Sequence, residues 1–177
     1  MRRPRTLLAV LGALAVAVGV SLLVTGGSNA APTKSQALFE KTLLADAKTT
    51  RDVKRLLTDG GGFVAPEITF EDLTGDGRSD AIVLVDSGGI AGAVALYVLS
   101  TDGESAQSDL RVVYRSQRLY GASTEVADAM LILRTPRFAE GDDVCCPAKI
   151  VQRTYAWNAR AKTLKQRRSQ ELPAPTG

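Results

Sequence analysis

Two stretches of the chain bring chemistry-bearing side chains close together. The first is Asp72-Leu73-Thr74-Gly75-Asp76-Gly77-Arg78-Ser79-Asp80. Counting from Asp72, oxygen-bearing side chains fall at positions one, three, five and nine (Asp72, Thr74, Asp76 and Asp80), with glycine at six and Arg78 at seven. This is the spacing with which a loop wraps a hard cation such as calcium in several oxygens. Position twelve is Val83, where a helix-loop-helix calcium site needs a bidentate glutamate, so the loop is not an EF-hand. Thr74 also stands where an acid would add charge. The competing expectation is structural: Asp76-Gly77 builds a turn, while Asp72 and Asp80 cap neighbouring amides.

The second stretch is Gly141-Asp142-Asp143-Val144-Cys145-Cys146-Pro147, which holds both cysteines of the chain. Adjacent Cα atoms sit about 3.8 Å apart across a trans peptide, short of the roughly 4.4–6.8 Å of an ordinary disulfide. A bond between Cys145 and Cys146 therefore closes a strained ring. Strain raises reducibility, which admits a thiol-disulfide redox role. The alternative is a loop clasp formed in an oxidising compartment. The clasp is favoured because no basic group or helix start that would lower a thiol pKa is evident nearby. A disulfide to a second chain stays open, and two cysteines cannot complete a four-ligand zinc site without a further chain.

The chain has no histidine. That removes Ser-His-Asp and Cys-His hydrolases, histidine-bound zinc and histidine-ligated haem by inventory. A carboxylate-based hydrolase would need Asp142 with Asp143, or Asp72 with Asp80, converging in a cleft, and their spacing gives no sign of it. No catalytic set is expected.

The elements that must position these loops begin after an export pattern. Arg2, Arg3 and Arg5 precede the uncharged apolar run Leu7 to Val24, and a small, polar stretch follows to Ala31. Ser28 and Ala30 fit signal-peptidase cleavage before Ala31, so residues 1–30 read as a signal peptide. The run is long for a signal core, which leaves an uncleaved membrane anchor as the rival; the arginines then keep the N-terminus inside and the domain outside. The expected location is thus extracytoplasmic, secreted or held at the outer face of the membrane, with membrane contact only through that segment. The 22 Lys and Arg against 19 Asp and Glu fall to an even balance once the three leader arginines are set aside. An even balance gives no field to attract nucleic acid.

The remainder, residues 31–172, has the size of a single domain, with 173–177 as a fraying Pro-rich tail. Lys34 to Leu57 reads as helix, weakened or divided at Thr49-Thr50, with Leu38, Leu44, Val53, Leu56 and Leu57 as its apolar stripe and Gly60-Gly61-Gly62 as its stop. Beyond Val64 the pattern turns to antiparallel strand. Strands are predicted near Glu67 to Glu71, Ala81 to Val85, Ala91 to Ser100, Arg111 to Gln117, Ala129 to Leu133, Ile150 to Trp157 and Thr163 to Arg168. Ala81 to Val85 and Val94 to Leu99 are apolar on both faces, which predicts central strands covered on both sides. The fold class is therefore α+β: one or two N-terminal helices on a mostly antiparallel sheet of about six or seven strands. Trp157 is expected in the core, and the cluster Lys162, Lys165, Arg167 and Arg168 on a solvated edge strand.

Two resemblances add to this reading. Asp72 to Asp80, running directly into Ala81-Ile82-Val83-Leu84, resembles the strand-loop-strand motif of FG-GAP and integrin-type propeller repeats, which implies calcium coordination through the loop. The likeness covers one hairpin, and a domain of this length cannot hold a propeller's blades. The Gly-Asp-Asp-x-Cys-Cys-Pro loop, leading to Tyr155-Ala156-Trp157, resembles small exported proteins of high-GC Gram-positive bacteria, among them the LppP/LprE lipoprotein family. Here Ala148 replaces the usual Ser and the lipid-attachment cysteine is missing. That resemblance implies a cell-envelope location and no assigned chemistry. The combined expectation is an exported, non-catalytic envelope protein, a binding or structural module with an unidentified envelope ligand or protein as partner. The alternatives are a calcium-dependent binding module through Asp72–Asp80 and a thiol-disulfide protein using Cys145 and Cys146.

Overall fold

Thr33 opens the first helix with a reciprocal cap. Its hydroxyl accepts from the Gln36 amide at 3.2 Å, and its own amide donates to Gln36 Oε1 at 2.8 Å, satisfying amides that a helix start leaves unpaired. In this computed structural model, which describes residues 32–101, 110–143 and 146–174, helix α1 spans Lys34–Ala45 and α2 spans Arg51–Thr58. The expected division at Thr49-Thr50 is present. Buried Thr49 turns its hydroxyl onto Asp46 Oδ2 at 3.1 Å, the local side-chain bonding that competes with a continuous helix. Gln117 then fixes the turn, accepting the Thr50 amide at 2.8 Å and donating to the Lys48 carbonyl at 3.1 Å. The buried stripe is centred on Phe39, Leu43, Val53 and Leu57, with Leu44 and Leu56 packed beside it. Phe39 and Leu43 thus take the central place expected of Leu38 and Leu44.

The described strands form two antiparallel sheets. The first contains β1 (Phe63–Val64), β2 (Thr69–Glu71), β3 (Asp80–Asp86), β4 (Ala93–Thr101) and β5 (Leu110–Gln117), ordered β1-β3-β4-β5 with β2 also on β3. The second contains β6 (Ser123–Ala127), β7 (Met130–Arg137), β8 (Lys149–Asn158) and β9 (Thr163–Pro173), in sequence order. The fold is broadly α+β, but the expectation of one sheet of about six or seven strands gives way to sheets of five and four. The cause is a corner after β5. Arg118 adopts φ +62°, and the amides of Leu119, Gly121 and Ala122 bond to the carbonyls of Val94, Ala91 and Ala93 as the chain turns into the second layer.

Alternation along β3 and β4 divides the core. Val83, Val85, Ala95, Tyr97 and Leu99 meet the helices. Ile82, Leu96 and Val98 face the second sheet, against Leu131, Leu133, Tyr155 and Leu164. The layers are therefore helices, five-stranded sheet and four-stranded sheet, which explains strands apolar on both faces. Trp157 packs against the inter-sheet core as expected. Strand β9 is the edge of its sheet, with Lys165, Arg167 and Arg168 exposed. The predicted tail begins too early, because β9 runs to Pro173, paired with Lys149, and the Ala174 amide bonds to the Ala148 carbonyl at 3.1 Å. An edge strand tolerates that proline because the missing N–H can fall on its unpaired side.

Pro32–Gly177 forms one compact unit. Among the described residues no helix is long and apolar enough to cross a membrane. The candidate span Leu7 to Val24 and the cleavage position before Ala31 lie outside them.

Candidate functional site

The acidic loop connects β2 to β3, and its carboxylates turn onto its own backbone. Asp72 Oδ1 accepts the amides of Gly75 and Asp76 at 2.7 and 3.2 Å, and Oδ2 accepts that of Gly77 at 2.9 Å. Gly75 and Gly77 sit at φ +75° and +82°, backbone settings that a Cβ would strain and that aim these amides inward. The bond from Gly77, followed by those from Gly75 and Asp76, holds the Asp72 carboxyl below its usual range. Asp76 Oδ1 accepts the Arg78 amide at 2.9 Å, closing the tip.

Asp80, the first residue of β3, is 1% exposed. Its Oδ2 accepts the amides of Leu73 and Thr74, each at 2.9 Å. Its Oδ1 and the Thr74 hydroxyl are buried with no hydrogen-bond partner. The five candidate ligands Asp72, Thr74, Asp76, Arg78 and Asp80 thus share one loop, yet no three acidic side chains among the described residues are grouped to hold a metal. Asp72 and Asp80 cap neighbouring amides, as the structural expectation has it.

Asp142 performs the same task in the cysteine loop. Its Oδ2 accepts the Ala139 amide at 2.8 Å and the Ala148 amide at 3.0 Å, which draws the two ends of the loop together. These bonds, Ala139 first, hold its carboxyl below the usual range. The Asp143 carbonyl accepts the Cys146 amide at 2.9 Å. Cys146 is exposed, and among the described residues no cysteine is free. Cys145 lies outside those residues, so the pairing of the two sulfurs passes to the proposals.

A groove that the sequence does not announce lies beside this loop. It has a volume of about 500 Å³ and draws on Ile90, Tyr120, Arg134, Phe138, Pro147 and Ile150. Tyr120 and Phe138 meet edge to face, centroids 5.6 Å apart at 83°. Ile90 is 89% exposed in the β3–β4 turn, and Phe138 is 38% exposed. Arg134 is held by Glu125 at 2.7 Å and by Gln152 at 2.9 Å, so its charge is locally balanced. Gly121 and Ser123 also line a second cleft of about 660 Å³ between β6 and the segment around β1 and β2. The available signal was a lone isoleucine in a glycine-rich turn and an aromatic just after β7; neither has a spacing that marks a site.

No family model, no curated protein and no solved structure matches the chain.

Proposed function

We propose that the protein is an exported, non-catalytic domain that binds an envelope ligand or protein through the groove at Tyr120 and Phe138. The observation that supports this reading is the contrast between loops and groove. The carboxylates of Asp72, Asp80 and Asp142 are committed to backbone amides, whereas Ile90 and Phe138 present apolar surface beside a concave, mostly apolar lining of the kind that receives ligands. Export and the envelope location rest on the leader pattern and on the likeness of the Cys-Cys-Pro loop to the LppP/LprE family. The cysteine pair serves in this reading as a second clasp beside Asp142.

Two measurements test it. Intact mass of the exported protein, with and without reductant, reports cleavage before Ala31 and the state of both sulfurs. Recovery of the uncut chain from the cytosol with reduced thiols removes the export reading. Titration of soluble peptidoglycan fragments and short-chain phosphatidylglycerol into isotope-labelled exported protein should move resonances of Tyr120, Phe138 and Ile90. Responses confined to other surfaces, or no response, remove the groove reading.

The unpartnered Asp80 Oδ1 and Thr74 hydroxyl support a second reading, a calcium-dependent module, since buried oxygens without partners suit a hard cation. In that reading calcium raises the melting temperature by mass-action linkage. A null shift at millimolar calcium removes it.

A further inference from the structure

We infer that β6 is a docking edge for an extended polypeptide segment bearing lysine or arginine, which adds as a further strand in the cleft between β6 and the β1–β2 segment. This goes beyond the binding reading above: it concerns the second cleft, not the groove at Tyr120 and Phe138, and names the class of ligand that cleft takes. The case begins with the sheet edges, because an unprotected edge is a template for another strand. Strand β9 is covered in charge at Lys165, Arg167 and Arg168. Strand β5 carries Arg111 and Arg115, and its Val113 carbonyl accepts the Thr163 hydroxyl of β9 at 2.7 Å. Strands β1 and β2 have two and three residues, with Pro66 between them. Only β6, among the edges described, lacks such a device: it pairs with β7 alone, and its one charge, Glu125, is bound to Arg134.

The register shows which groups are available. Asp128 and Ala129, both at positive φ, form a two-residue hairpin turn that makes Ala127 and Met130 a hydrogen-bonded pair. Alternation then assigns the N–H and C=O groups of Thr124 and Val126 to the side away from β7. Thr124 and Ser123 line the cleft and no residue of β7 does, so the free edge faces the cleft at the start of β6 and continues past the cleft's end at Val126.

The cleft selects the side chains. Its opposite wall carries Glu67 and Asp86, no Lys or Arg lines it, and Phe63 is 44% exposed at its rim. An extended segment alternating cationic and apolar side chains meets all three features: paired backbone, acidic wall and apolar rim. The chain's own stretch 102–109 contains three acids and no base, so it has the wrong charge for the role.

The test uses the protein as exported and a seven-residue peptide of alternating lysine and valine. Binding should slow hydrogen exchange at the Thr124 and Val126 amides. Methylating the peptide's backbone nitrogens should abolish binding, and a glutamate-valine peptide should not bind. Thr124→Pro removes an outward donor without removing a β6–β7 ladder bond, so affinity should fall about tenfold while the melting temperature changes little. Should Thr124→Pro disturb folding, the exchange measurement on the parent decides. Peptide binding with no protection at Thr124 and Val126, or equal affinity for the glutamate peptide, overturns the inference. If no peptide binds while peptidoglycan fragments still move Tyr120 and Phe138, strand addition falls and the groove reading stands.

Discussion

Replacing Asp80 isolates what the acidic loop contributes. Its carboxylate holds two amides, Leu73 in the core and Thr74 partly covered. Asp80→Ala leaves both donors without partners. A buried donor so orphaned costs about 1–3 kcal/mol, and the partly covered one costs less. Against that, the substitution also removes a buried carboxylate whose Oδ1 has no partner, which returns part of the loss. The net expectation is about 2–4 kcal/mol of destabilisation. Asp80→Asn keeps an acceptor at the same place and exchanges charge-assisted bonds for neutral ones, so about 1 kcal/mol is expected. Urea unfolding followed by Trp157 emission measures both. An alanine variant within about 0.5 kcal/mol of the parent, or an asparagine variant as damaging as alanine, refutes the reasoning. The first result would mean the amides find water; the second would mean the charge itself is required, as a cation site demands.

Three further outcomes follow from the same geometry. Asp72 and Asp142 have depressed carboxyl pKa values, so their contribution is present above the ordinary value of 3.8 and is lost as pH falls through the lower folded values. Melting temperature should therefore drop on acidification below that point, and Asp72→Asn with Asp142→Asn should flatten the dependence. Leu43→Ala on the helix side and Leu131→Ala on the inter-sheet side, both fully buried, should each cost about 2–5 kcal/mol in denaturant unfolding; a negligible loss at either site contradicts the corresponding layer. Ala129→Gly should stabilise by about 1 kcal/mol, read as a higher denaturant midpoint, because Ala129 sits at φ +55° where a Cβ is penalised.

Much of the first sheet and both helices could be read from residue pattern, because there local signals and tertiary packing agree. The Thr49-Thr50 division and the doubly apolar runs of β3 and β4 are cases where one local cause suffices. Three strands of the second sheet were legible as well, but their separation into a second layer was not: nothing in Arg118-Leu119-Tyr120 marks a change of sheet, and Arg118 takes positive φ without being glycine. Strand β6 escaped because Ser123-Thr124-Glu125 is polar and its turn, Asp128-Ala129, lacks the expected glycine. The loop acids were recognisable as candidates, but whether they cap amides or gather a cation depends on where the amides point. The groove draws on four separated segments, and no spacing in one of them encodes it.

The central position of the five-stranded sheet also governs how the chain can be divided. Its helix-facing side is covered by residues before Thr58, but the side carrying Ile82, Leu96 and Val98 waits for Leu131, Tyr155 and Leu164. A fragment ending at Gln117 would leave that oily surface open to water and should self-associate. The two halves are consequently unsuited to exchange or separate expression, and stop codons after β5 should give insoluble product rather than a smaller working unit.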